Sequence, residues 1–286
     1  SVFIRAHDAA PAEKAGALVG RIRALREGAD HEQVFSVDPE QFSAVPGSPF
    51  AYWVSDAIRD IFRRFPPLEG NAGTVKQGLA TADDFRFVRA WWEVAPERIG
   101  YSPEDTLTGR GWVHFAKGGS YSPYYADVHL LVNWWGRGIE IKNRINKTTG
   151  QPRSNVWMLR QTEAEFFFRP GLTWPRRTTS GLSVRTLPVG SVFSDKGPTL
   201  FAEQDALLAL IGTQAILQSS LATALIATML PAATAAARSY EVGIVQKLPV
   251  PQSAPAQTWA DHAARAIDLQ RQRDLTDDTS HCFQTP

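Results

Sequence analysis

Residues 169–187 read Arg-Pro-Gly-Leu-Thr-Trp-Pro-Arg-Arg-Thr-Thr-Ser-Gly-Leu-Ser-Val-Arg-Thr-Leu. A short apolar and β-branched run at 182–187 follows a cluster of Pro, Gly, Ser and Thr, a pattern that writes strands and loops rather than helices. The same texture extends outward. Residues 111–115, 128–133 and 156–159 are further short runs set between Gly, Pro, Ser and Asn clusters, so residues 75–200 are expected to form a strand-rich unit.

Helical periodicity takes over on both sides. Ala15, Leu18, Val19, Ile22 and Leu25 recur at helical spacing across 12–27, and Gly28 stands where a helix would end. Ser48 and Pro49 read as N-cap and first residue of a second helix whose apolar stripe is Phe50, Trp53, Val54, Ala57, Ile58, Ile61 and Phe62. Asp83 or Asp84 can cap a short helix inside the strand-rich unit. From Phe201 the chain reads as helix again through Leu230, and a last helix is expected over 258–273. The expected fold is α+β, with an N-terminal helical lead (1–74), the strand-rich unit (75–200) and a C-terminal helical region (201–286).

The composition supports a folded core: 43% of 286 residues are hydrophobic, with nine Trp and fifteen Phe. One cysteine, Cys282, excludes an intrachain disulfide and a cysteine metal cluster, which fits a reducing, cytoplasmic setting. The first residues show no export signal and read as the middle of a longer sequence. No charge occurs over 206–234, a span long enough to cross a bilayer. Gln214, Gln218, Ser219 and Ser220 interrupt it and Pro231 ends it, so a buried helix pair is expected and no membrane partner.

Net charge is only +1, but its placement is uneven. Residues 137–196 hold eleven Lys and Arg against four acids, a surplus of seven, whereas residues 197–286 carry an excess of three acids. A basic middle of this kind points to a polyanion. Lys117, Arg144, Lys147, Arg153 and Arg177 are the candidates for phosphate contact. Arg176, Thr178, Thr179 and Asn146 are the candidates for base edges, Arg through paired donors to guanine. In Lys117-Gly118-Gly119-Ser120 the two glycines let backbone amides approach a phosphate. A rival set is Asp127 with Glu140-Ile141-Lys142, which has the order of an acid, acid-x-Lys nuclease metal site and also fits a solvated strand edge. The six histidines have no metal-ligand spacing.

Taken in order, several phrases resemble the C-terminal region of large adenine-specific methyltransferases, notably those of BREX phage defence and related single-chain restriction-modification enzymes. They are Ser48-Pro-Phe-Ala-Tyr-Trp-Val-Ser-Asp56, Lys76-Gln-Gly-Leu-Ala-Thr-Ala-Asp-Asp-Phe-Arg-Phe-Val-Arg-Ala-Trp-Trp-Glu-Val94, Lys117-Gly-Gly, Val132-Asn-Trp, Gly171-Leu-Thr-Trp, Phe193-x-x-Lys-Gly197, Leu208-Ala-Leu-Ile-Gly-Thr-Gln, Tyr240-Glu-Val-Gly-Ile-Val-Gln-Lys-Leu-Pro-Val-Pro251 and Asp278-Thr-Ser-His-Cys-Phe283. The resemblance implies that residues 75–200 are a target-recognition domain binding double-stranded DNA. It also implies that a catalytic domain of the same parent chain, holding S-adenosylmethionine, methylates N6 of a flipped adenine. This chain has neither a Gly-rich cofactor loop nor an Asn/Asp/Ser-Pro-Pro-aromatic tetrapeptide; Pro66-Pro67 lies between Phe65 and Leu68. A separate specificity subunit docking on a catalytic subunit is the other form this role can take. Two departures stand out: Thr81-Ala82-Asp83-Asp84 where the family has Thr-Gly-Asp-Asn, and Ser120-Tyr-Ser-Pro-Tyr-Tyr where it is more basic.

Overall fold

Strand β1 (Val2–Ile4) pairs antiparallel with β2 (Val34–Ser36), and helix α1 (Lys14–Arg26) connects them. The computed structural model describes all residues except 48–50, 231–237, 252–255, 282 and 284–286. Gly28, at φ +78°, follows α1 as the sequence implies. The expected apolar stripe is not covered, because Leu18, Val19 and Leu25 remain exposed above a two-stranded ribbon too small to bury them. Arg21 tethers the helix instead, donating to Asp8 at 2.6 Å.

Helix α2 (Asp56–Arg64) begins later than expected. Ser48, Pro49 and Phe50 lie outside the described residues, and the cap is Ser55, whose hydroxyl accepts from the Ile58 amide at 3.4 Å. The Pro66-Pro67 loop then runs beside residues 248–250, with the Leu68 amide donating to the Leu248 carbonyl.

The expected α+β architecture is present, with two main sheets. The four-stranded sheet has the order β10 (Arg185–Leu187), β8 (Gly171–Thr173), β12 (Thr199–Phe201), β3 (Thr74–Lys76), antiparallel throughout. In the other, β6 (Trp112–Ala116) is central. It pairs antiparallel with β7 (Leu130–Asn133), which pairs β4 (Val88–Ala90), and its far edge pairs parallel with β5 (Ile99–Gly100) and β11 (Ser191–Phe193). A ribbon joins β9 (Arg177–Thr178) to β13 (Arg238–Ser239). Short helices α3 (Asp84–Phe87), α4 (Trp135–Lys142) and α5 (Arg160–Phe166) decorate the second sheet.

Two strand expectations fail. Residues 156–158 form a 3-10 turn, because the Asn155 side chain takes the Gly78 carbonyl and the Ala80 amide and folds the backbone around them. Glu140 and Lys142 lie on α4 rather than a strand edge, since Gly136, Arg137 and Gly138 turn left-handed straight after β7.

The helices α6 (Leu207–Leu217), α7 (Ser220–Met229), α8 (Val242–Val245) and α9 (Ala256–Asp274) complete the chain. Leu210, Leu217, Leu225 and Ile226 join Leu68, Val75, Leu172, Trp174 and Leu200 in one core; Phe87, Phe115, Trp134, Phe167, Phe193 and Phe201 form a second. Adjacent Leu200 and Phe201 face opposite cores, as the two-residue period of a strand requires. The polar interruptions predicted to matter are used internally: Gln214 Nε2 donates to the carbonyls of Tyr124 and Val184, and Gln218 Nε2 to that of Val184. Helices α6 and α7 bend by 70° at Ser219, which caps α7, and no single helix among the described residues is long and apolar enough to cross a membrane.

Candidate nucleic-acid interface

The turn before α3 organises one side of the site. Ala82 takes the left-handed conformation at φ +58°, a backbone region that favours glycine. Thr81 Oγ1 then donates to Asp84 at 2.6 Å, and Asp83 caps α3 by accepting from the Arg86 amide at 3.2 Å. Each aspartate also holds a predicted cation. Asp83 accepts from Arg144 Nη1 at 2.7 Å, and Asp84 from the Lys117 ammonium. The Arg144 guanidinium holds the Asp83 carboxyl below the ordinary value. Burial opposes ionisation at Asp84, but Lys117 and the Thr81 hydroxyl outweigh it, so that carboxyl also sits low.

Residues 144–153 form a tight loop beside this turn. The Asn146 side-chain oxygen accepts from the amides of Thr148 and Thr149, Ile145 bridges to Pro152, and the Arg153 amide donates to the Arg144 carbonyl. Asn146 therefore shapes the loop with its side-chain oxygen. Lys147 and Arg153 are exposed, and Arg144 lies over the Phe87 ring, 5.4 Å from its centroid.

Lys117 leads into Gly118 and Gly119, at φ +76° and +112°. Their loop is fixed from beneath by Arg185, which donates to the carbonyls of Gly118 at 2.6 Å and Ser120 at 3.3 Å. Burial pushes the Arg185 guanidinium down to about 10. Although it belongs to the basic middle segment, Arg185 faces inward.

The second side is the Arg-Arg-Thr-Thr stretch. The Arg176 amide donates to the Lys196 carbonyl at 2.9 Å, and its guanidinium lies 3.8 Å from both Asp195 and Glu241. Arg176 is thus mostly enclosed, its side chain one-fifth exposed. Arg177 is exposed on β9, Thr178 Oγ1 accepts from the Ser180 amide at 3.0 Å, and Thr179 is exposed. The two sides meet through Lys196, which pairs with Asp195 at 3.1 Å and acts on the charge of Asp84. Among the described residues Lys147, Arg153 and Arg177 have no carboxylate within ion-pair distance. Lys196, Arg86 and Arg185 belong to the arrangement but were not singled out from sequence; Lys196 closes the Phe193-x-x-Lys-Gly phrase, the one signal that marked it.

The rival nuclease set is not assembled. Asp127 accepts from His281 at 2.9 Å, Glu140 from Arg86 Nε at 2.6 Å, and Lys142 donates to Glu163 at 2.5 Å, each partner on a different element. No group of three or more His, Asp or Glu side chains able to hold a metal ion occurs among the described residues.

No family model matches the chain. It is similar to the adenine-specific methyltransferase PglX of Lacticaseibacillus casei (strain Zhang), 26% identical over 219 residues, which cover 76% of this chain and 17% of that protein. It is likewise similar to the adenine-specific methyltransferase BrxX of Escherichia coli O9:H4 (strain HS), 26% identical over 275 residues, 94% of this chain and 20% of the relative. The chain thus spans a fifth or less of the curated relatives it matches, and over most of its own length it is similar to these two adenine-specific methyltransferases, PglX and BrxX.

Proposed function

We propose that this chain is the target-recognition region of an N6-adenine DNA methyltransferase and that the strip from Arg177 to Arg153 faces the duplex. The observation that carries the proposal is the convergence of five separated segments: 117–119 and 144–153 meet 81–86 at Asp84 and Asp83, 176–179 meets 195–196 at Asp195, and Gly118 packs against the Lys196 carbonyl between the two groups. Cations gathered from distant parts of a chain onto one surface suit an extended polyanion. Arg177, Lys147 and Arg153 are placed for phosphate oxygens. Lys117 and Arg144 are held in position by their aspartates and exchange those partners for phosphates on binding. Thr179 and Arg177 bracket the most exposed part of the Arg-Arg-Thr-Thr stretch, with Arg176 and Thr178 behind them and Asn146 shaping the facing loop.

In this reading methyl transfer, with its S-adenosylmethionine and flipped adenine, belongs to other polypeptide: a catalytic domain of the same parent chain, or a catalytic subunit on which this chain docks. The exposed Leu207, Leu208 and Leu221 on α6 and α7 offer an apolar surface for that contact. What residues 75–200 contribute is grip and sequence reading, which offset the few kcal/mol that flipping costs.

Gel retardation of a long duplex over a salt series tests the assignment. The slope of log affinity against log salt is expected to fall by about 0.9 for each phosphate-contacting cation removed. Arg177→Ala and Lys147→Ala are each expected to reduce it by that amount. Slopes identical to that of the unmutated chain in both variants, and in the Arg176→Ala, Arg177→Ala double variant, sink the assignment.

A further inference from the structure

We propose that Phe85 is a wedge that enters a base step of the bound duplex, a role that rests on the duplex-binding reading above. Phe85 is 91% exposed, the most exposed large apolar side chain among the described residues. Its neighbour two positions on, Phe87, is fully buried, so one turn of helix anchors one ring in the core and holds the other out in water. The mount is rigid. Asp83 caps the turn, Thr81 and Lys117 hold Asp84, and Arg89 Nη1 donates to the carbonyls of Phe85 and Val88, both at 2.7 Å.

Cations surround the ring. Arg86 and Arg89 follow it in sequence, the Arg89 guanidinium lies 6.0 Å from the ring centroid, and Lys117 and Arg144 hold the two aspartates immediately before it. An apolar ring beside Arg89 and among cations paired with Asp83, Asp84 and Glu140, partners that phosphates can replace, fits a partner that is anionic outside and apolar between its layers, which describes stacked base pairs framed by phosphates. Side chains of this kind enter duplexes by partly unstacking a step and kinking the axis. An apolar protein partner would match the ring but not the charges around it, and a lipid surface would call for a stripe of apolar residues where Asp83 and Asp84 stand.

Insertion unwinds the helix locally, so it is read from DNA topology without knowledge of the recognition sequence. A relaxed circular plasmid of several kilobases is incubated with the chain and topoisomerase I, the protein is removed, and the topoisomers are resolved, with retardation of the same plasmid followed in parallel. The unmutated chain is expected to shift the topoisomer distribution as it saturates the plasmid. Phe85→Ala is expected to abolish the shift with its salt slope unchanged, since no cation is lost, and Phe85→Trp to restore it. The ring makes little contact with the fold, so Phe85→Ala should melt with the parent. Topoisomers unmoved under full retardation, or moved equally by Phe85→Ala, overturn the proposal, the first outcome pointing to a protein contact for the ring. Absence of retardation by the unmutated chain instead removes the duplex-binding reading, and the wedge with it.

Discussion

Ala82 and Gly138 both occupy the left-handed region, at φ +58° and +73°, with opposite tolerances for substitution. Ala82 bears the strain of a Cβ in a conformation that costs L-residues about 1–2 kcal/mol. Ala82→Gly should therefore stabilise the chain by about 0.5–1 kcal/mol, part of the relief being offset by the greater freedom of glycine in the unfolded state. Its urea midpoint checks this; a lower midpoint would mean that the turn is not strained. At Gly138 an added Cβ would stand 2.4 Å from Trp134 Cζ3. Gly138→Ala combines backbone strain with overpacking against a fully buried indole and should cost about 2–5 kcal/mol in the same measurement. Arg185 illustrates how residue chemistry outruns composition. Replacing it with Met leaves the Gly118 and Ser120 carbonyls without their charged donor, which should cost about 2–3 kcal/mol and speed amide exchange across 118–120. The glycine pair was visible in the sequence as a loop that admits close backbone approach. That an arginine sixty-odd positions away supports it was not, because nothing local distinguishes an inward arginine from a solvated one.

Elements whose signals are local were legible. Helix α1 stops at Gly28, α9 covers the expected span, and the Asp83 cap of α3 forms as its spacing implies. Elements that depend on a distant partner were not: Asn155 converts a short apolar run into a turn by reaching Gly78 and Ala80. Titration reports on two of these packings. The Asp84 carboxyl lies below its ordinary 3.8, so the contact stabilises the fold above that pH and is lost as pH falls through the folded value. Lys117→Ala should raise the Asp84 value, read by carboxyl NMR titration; an unmoved titration would show that the ion pair does not form in solution. His114 sits on β6 under the C-terminal residues, where Trp91 Nε1 donates to the Thr279 carbonyl and His281 pairs with Asp127. Burial depresses its value below the ordinary 6.5, while its contact with the Val128 carbonyl and the charge of Asp127 partly oppose that. The folded state thus binds fewer protons than the unfolded one, so stability is complete above about pH 6.5 and erodes as pH falls through the folded value. His114→Gln should flatten that acid limb of a melting-temperature profile; a limb of unchanged steepness assigns it to another group.

At the scale of the molecule the surplus of seven positive charges over residues 137–196 divides by where each side chain points. Arg137 lies near Glu104, Lys142 pairs with Glu163, Arg169 with Asp205, and Arg185 is buried, so these four cations serve the fold, while Arg160 is exposed at the start of α5. Arg144, Lys147, Arg153, Arg176, Arg177 and Lys196 remain for the strip. Arg137→Gln should leave the salt slope of duplex binding unchanged while Arg177→Ala lowers it, a contrast that total charge does not supply; a fall of about 0.9 in Arg137→Gln would return the assignment to undirected charge. What was readable in one dimension was the α+β class, the main helices, the basic segment and a family likeness, because periodicity, capping and charge density act over a few residues. Which cations share a surface, which carboxylates restrain them, and that Glu140, Lys142 and Asp127 are parted among separate partners emerged from packing. Those outcomes depend on desolvation and distance between segments as much as 154 residues apart, and both quantities exist only once the two cores have closed.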